Sequence, residues 1–227
     1  MIFNCFKKKK SKQPQQEPER PTIKYEFPEI VDVDINIKTQ GNYRTNSGQA
    51  RGLVVHFTAG RFDKGKESAL NTMRWLGKSG LGCLVMDTNG NIYKSKDQDL
   101  DQVAWHAGKS SWKGKSGISR YCIGMEICCA GKLDVDNKSW YGLQIPTNQA
   151  RVVDKKDNVQ AGHYHKYTVA QEEALFNFCK WQMQVNPDFD VDWVVGHDEI
   201  APRRKNDPGG SFSMTMPEFR EQLKSLI

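Results

Sequence analysis

Two histidines stand at the ends of two strongly apolar runs. Leu53-Val54-Val55 leads into His56, and Val194-Val195-Gly196 leads into His197. After His197 comes a loop in which Pro202, Pro208 and the pair Gly209-Gly210 interrupt any helix. That loop carries Lys205 and Asp207, two positions apart. Imidazole nitrogen and carboxylate oxygen are both short-range zinc ligands. Two strand ends that each deliver a histidine, joined by an aspartate from a stiff loop, make a three-ligand set with an open position. That is the pattern of a catalytic zinc site and not of a structural one. Each residue also has a plainer reading. A strand-end histidine is commonly just a hydrogen-bonded residue, and an aspartate before proline starts turns.

Glu126 interrupts the apolar run Ile123 to Cys128. A carboxylate on a buried strand is costly unless something pairs with it. It is therefore either one half of a structural ion pair or a general base beside a metal-activated water. Lys205 has the same duality. It is a solvated surface lysine, or it stabilises the oxyanion that forms when water attacks an amide carbonyl. His163 and His165 form an i, i+2 pair, but they lie in a polar stretch away from the apolar strand ends.

At these residues the chain resembles the zinc-dependent N-acetylmuramoyl-L-alanine amidases, a family that includes phage lysis amidases, bacterial recycling amidases and peptidoglycan recognition proteins. The matching pieces are Val55-His56-Phe57-Thr58-Ala59, Ala104-Trp105-His106-Ala107-Gly108, Ile123-Gly124-Met125-Glu126-Ile127 and Gly196-His197-Asp198-Glu199-Ile200-Ala201-Pro202, leading to Lys205-x-Asp207-Pro208-Gly209. They occur in the family's order across residues 30 to 227. The resemblance implies Zn²⁺ held by His56, His197 and Asp207, with Glu126 as proton carrier and Lys205 at the oxyanion. It also implies substrate contacts from Thr58, Trp105 and His106. The bond cut would be the amide between the lactyl group of N-acetylmuramic acid and L-alanine. Departures are Leu81-Gly82-Cys83 where many members carry Ser-x-His, and Arg203 where Gly is common. Asp207 stands where one phage type has cysteine, so the chain is of the His-His-Asp kind.

The elements that must position these groups are legible in outline. With 227 residues and a 37% hydrophobic share, the chain can bury one substantial core. Val31 to Ile37 alternates as a half-buried strand, and Leu53 to Phe57 reads as a strand covered on both faces. Lys66 to Lys78 has helical spacing and is stopped by Gly80. Leu84-Val85-Met86 and Asn91-Ile92-Tyr93 flank Asp87-Thr88-Asn89-Gly90, a hairpin signal. Ile123 to Cys128 reads as a central strand. Val169 to Val185 is a helix with Ala170, Ala174, Leu175, Phe178 and Trp181 on its core face. Pro217 to Ile227 is a terminal helix that starts on proline. Strands alternating with helices predict an α/β (α+β) single domain: a central mixed β-sheet flanked by helices. Gly131 to Thr168 reads as a long polar loop. Its Trp140, Tyr141, Tyr164 and Tyr167 suit either a groove wall for sugar rings or packing on the core.

Residues 1–22, with Lys7 to Lys10 and a proline-rich polar stretch, read as a flexible arm before an amidase domain at 23–227. The net charge of +6 is modest and partly local to that arm, which is weak support for nucleic-acid binding. The apolar tip before the lysines is too short for a secretory segment, and no run reaches membrane-spanning length. The six cysteines show no paired spacing and read as free thiols of a reducing compartment. These features predict a monomer made in the cytoplasm, without stable membrane insertion, acting on peptidoglycan or on soluble muropeptides. A phage-type lysis enzyme that reaches the wall after release is the favoured role. The alternatives are a cytoplasmic recycling amidase and a non-catalytic peptidoglycan-binding module.

Overall fold

Leu53, Val54 and Val55 have no solvent exposure, which a β-strand attains when neighbours cover both its faces and both its edges. The computed structural model describes residues 30–34, 43–44, 50–96 and 102–226. In it the strand Gly52–Phe57 runs parallel to Cys122–Ile127 on one side and to Val194–Gly196 on the other. Beyond Cys122–Ile127 come Leu84–Met86 in parallel, Ile92–Ser95 antiparallel to that, and Ile30–Val33 at the edge. The result is a six-stranded mixed sheet.

Alternation along each strand sorts the side chains to two faces. Leu53, Val55, Ile123, Met125 and Ile127 pack with Leu175 and Phe178 of the helix Val169–Val185 and with Phe219 and Leu223 of the helix Met216–Lys224. On the other face, Val85 and Tyr93 meet Ala69, Met73 and Leu76 of the helix Lys66–Lys78, while Val54 and Val195 lie under Ala107, Ile118 and Ile200. His56 and Glu126 continue this second face, two residues after Val54 and Gly124. They stand opposite each other in the parallel register, at the carboxyl ends of their strands.

The helices Lys66–Lys78 and Val169–Val185 have the bounds their patterns predict. Thr168 caps the second by accepting from Gln171 N at 3.1 Å, while Gln171 Oε1 accepts from Thr168 N at 2.9 Å. The hairpin forms, pairing Val85 with Tyr93 and Met86 with Ile92. The terminal helix starts at Met216, one residue before its proline, and ends at Lys224, so Leu226 is exposed. The larger departure is residues 131–168. Instead of one long loop they form a three-stranded antiparallel sheet of Lys132–Leu133, Gly162–His165 and Ala150–Val153. These strands are two to four residues long, too short for a period-two signal to emerge from a polar composition. Cys83, Cys122, Cys128, Cys129 and Cys179 are free and buried. The basic arm 1–22 with Cys5, the proposed start of the domain at 23–29 and the continued alternation at Ile35–Ile37 lie outside the described residues. Among the described residues no helix is long and apolar enough to cross a membrane.

The terminal helix is tied to the functional end of the sheet by charge. Arg220 donates to both carboxylate oxygens of Glu199, at 2.7 and 2.8 Å, and to Val194 O at 2.9 Å, all of it buried. Removing one partner of such a pair leaves a buried charge without compensation. Arg220→Met should therefore cost about 3–5 kcal/mol in denaturant unfolding, and Glu199→Gln combined with it should recover part of that loss. A cost below about 1 kcal/mol would make the pair incidental, as exposed pairs are.

Candidate metal centre

Parallel pairing of Gly196 with Val55 brings His197, the next residue, alongside His56. The two rings stand edge to face with centroids 4.4 Å apart. His197 opens a single helical turn, His197–Ile200, and the segment up to Asp207 is closed by Asp198 N donating to Asp207 O at 2.7 Å and by Arg204 N and Lys205 N donating to Ala201 O. That closure returns Asp207 to the histidines. Its Oδ2 lies 2.8 Å from His56 Nδ1 and 3.0 Å from His197 Nδ1. All three residues are almost fully buried.

The protonation of this cluster follows from its surroundings. His197 Nε2 lies 3.0 Å from Ala107 O, and a carbonyl only accepts, so in the neutral ring Nε2 is the donor and Nδ1 the acceptor. Burial, together with the neighbouring His197 and against the pull of Asp207, holds the His56 pKa down at about 4, so its imidazole is neutral at physiological pH. Neutral imidazole lone pairs turned on a carboxylate oxygen at this range repel unless a cation sits among them. Two imidazole nitrogens and one carboxylate oxygen within 4.8 Å of one another are a donor set that fits zinc and leaves a position open. His56, Cys83 and His106 form a second cluster of comparable spacing. It has no carboxylate, and burial pushes the Cys83 thiol well above its ordinary range, so the first cluster fits a hard or borderline cation better.

Glu126 lies across from His56 on the adjacent strand. Its Oε2 is buried with no hydrogen-bond partner among the described residues. Burial, and then the negative Asp207, push its carboxyl up to about 8 against the effect of Lys205. The structural ion pair is therefore missing. Lys205 is close enough to act electrostatically on both Glu126 and His56, and its ammonium has no salt-bridge partner among the described residues. Asp198 Oδ1 is the other buried side-chain oxygen without a hydrogen-bond partner among the described residues, and it lies against Gly196.

The other expected residues sit less simply. The Thr58 hydroxyl donates to Cys129 O and accepts from Cys129 N, tying two strand ends together. Trp105 is half-buried, and its carbonyl accepts from Gly82 N. His106 spends both ring nitrogens within the protein, on His56 and on the Cys122 carbonyl. His163 pairs with Asn137, and His165 Nδ1 accepts from Ala130 N, so neither joins the cluster. Cys129 packs in the core. The four aromatics of residues 131–168 divide. Tyr164 and Tyr167 are buried, and the Tyr167 hydroxyl donates to His56 O at 3.0 Å. Trp140 is 78% exposed, and its Nε1 donates to Ala59 O, just beyond His56. Two contributors are silent in the sequence. Arg204 donates to the same Ala107 carbonyl at 2.7 Å, and the Ser119 hydroxyl holds the amides of His106 and Ala107.

Known proteins share the sequence family and the fold of this chain. The family model described as N-acetylmuramoyl-L-alanine amidase matches residues 46–210. The chain is 26% identical over 175 residues to N-acetylmuramoyl-L-alanine amidase AmiD of Escherichia coli, covering 70% of this chain and 49% of that protein. It spans about half the length of the curated relatives it matches. Its fold is shared with the structure of AmiD from E. coli with anhydro-N-acetylmuramic acid-L-Ala-D-gamma-Glu-L-Lys, at TM-score 0.51 and 23% identity over 79% of this chain and 60% of that one. It is shared likewise with the endolysin LysCS from Clostridium intestinale, at TM-score 0.52 and 16% identity over 88% and 97%.

An unpartnered buried carboxyl should cost the fold stability, with a definite sign in pH. The pKa of Glu126 is raised in the folded chain from 4.5 to about 8. Its neutral form is tolerated below that window, and stability is lost as pH rises through it. In chelator-treated protein, Glu126→Gln should match the wild type near pH 4. It should become about 1–3 kcal/mol more stable by pH 8, or about 2–4 °C in Tm per kcal/mol. Melting curves with no pH-dependent gap would mean that Glu126 is solvated or paired.

Proposed function

The chain belongs to the N-acetylmuramoyl-L-alanine amidase family, and from that membership we propose that it is a zinc-dependent hydrolase of the amide between N-acetylmuramic acid and L-alanine. One observation carries the reading: three ligand atoms of His56, His197 and Asp207 lie within 4.8 Å of one another near Glu126, whose buried Oε2 has no hydrogen-bond partner among the described residues. When bound there, a zinc ion supplies Lewis-acid polarisation of the carbonyl and activates water for attack.

This chain's own residues do the rest. Glu126 Oε2 accepts the proton of the attacking water and returns it to the departing L-alanine nitrogen. A raised pKa suits both halves of that task, because the group must take and give a proton near neutral pH. Lys205 places positive charge where the carbonyl oxygen becomes an oxyanion. The exposed Trp140, anchored by its indole at Ala59 O, offers a face for a sugar ring. That exposed face favours polymeric peptidoglycan over small soluble muropeptides, and hence a lysis-type role for the domain at 23–227, acting as a monomer.

The purified protein should carry about one zinc, and His197→Ala or Asp207→Ala should remove both metal and peptide release from sacculi. Retention of the metal in either variant would remove that residue from the set. Glu126→Gln should keep zinc while turnover per zinc falls by about 10²–10⁴-fold. Near-normal turnover would end the proton-carrier assignment. Trp140→Ala should slow release from intact sacculi more than cleavage of a soluble anhydro-muropeptide. Equal losses on both substrates would count against the polymeric reading.

A further inference from the structure

Resting on the donor set proposed above, we infer that His106 is a positioning residue that fixes the tautomer of His56 and so turns the His56 Nδ1 lone pair toward Asp207 and His197. His106 Nε2 lies 2.9 Å from Cys122 O, a carbonyl that only accepts, so this nitrogen carries the proton. The other nitrogen of the neutral ring, Nδ1, is then an acceptor, and it lies 3.1 Å from His56 Nε2. His56 must donate there, which puts its single proton on Nε2 and leaves Nδ1 bare, 2.8 Å from Asp207 Oδ2. A main-chain carbonyl thus dictates, through two rings, which nitrogen of His56 faces the centre. His197 reaches the same state in one step through Ala107 O.

The surroundings hold His106 to this task. A side chain at position 124 would put its Cβ 2.7 Å from His106 Cγ and 2.7 Å from Cys83 Sγ. Only glycine there lets the ring lie against the Glu126 strand and reach Cys122 O. The Ser119 hydroxyl accepts from His106 N at 3.2 Å and from Ala107 N at 2.8 Å. One serine therefore sets the backbone that carries both relays, the His106 ring and the Ala107 carbonyl. With both ring nitrogens used inside the protein, His106 is an outer partner of a ligand and not a group that grips substrate. Outer partners of this kind change metal affinity when they are lost.

The test compares zinc binding by chelator competition in the wild type, His106→Leu and His106→Asn. Asparagine places its Oδ1 acceptor where Nδ1 stood, whereas leucine fills the space without one. His106→Leu should weaken zinc binding by about 10–100-fold, and His106→Asn should keep most of the affinity. Unchanged affinity in His106→Leu, or equal losses in the two variants, would overturn the inference. A loss confined to KM would overturn it in favour of a substrate contact. Nitrogen-15 NMR of the histidine rings in the zinc-loaded wild type decides the matter should His106→Leu fail to fold. A proton on His56 Nε2 supports the relay, and its absence overturns it. If the wild type takes up no zinc, the metal reading fails, and the same ring spectrum of the metal-free protein still decides the tautomer.

Discussion

Two imidazole nitrogens stand 2.8 and 3.0 Å from a single buried carboxylate oxygen, and the remainder of the structure is arranged around keeping them there. Lone pairs crowded in this way repel, and burial removes the water that would soften the repulsion. The fold must therefore hold the three groups against their own preference, which the proposed cation would relieve. It does so with parts that bend little. His56 lies on one parallel strand and His197 directly follows its neighbour, in a register set by the apolar residues before them, and a one-residue slip would turn His56 into the helix-covered core. The aspartate is returned by a loop closed on its own backbone.

The same logic explains the uncompensated carboxyl. Glu126 would be more comfortable with an arginine beside it, as Glu199 is with Arg220. The two acids lie at the same end of the sheet and are treated in opposite ways. Glu199 is satisfied and anchors the terminal helix, whereas Glu126 keeps an oxygen with no hydrogen-bond partner among the described residues. Proteins tolerate such a cost where function requires it, and stability is recovered at the satisfied sites nearby.

Much of this was legible in the sequence, and for identifiable reasons. The central strands and the long helices announce themselves because their patterns extend over many residues, as at Leu53 to Phe57 and Val169 to Val185. His56, His197 and Asp207 could be paired on paper because each ends an apolar run or sits in a proline-bounded loop. What could not be read is work done by the backbone. The Ala107 and Cys122 carbonyls choose the histidine tautomers, and every residue has a carbonyl. Gly124 reads as an ordinary strand glycine until the His106 ring is seen lying on it. Trp140 and Tyr164 look alike in a polar stretch, yet one is exposed in a turn and the other buried on a four-residue strand too short to show which way it faces.

The central claim is that the cation site is made by His56, His197 and Asp207, and not by the neighbouring His56, Cys83 and His106. X-ray absorption at the zinc edge of the loaded protein distinguishes the two directly, since thiolate sulfur lies farther from zinc and scatters more strongly than nitrogen or oxygen. The account predicts two imidazole nitrogens at about 2.0–2.1 Å and carboxylate oxygen at about 2.0–2.2 Å, with no sulfur. A sulfur shell at about 2.3 Å would place the metal against Cys83 and contradict it.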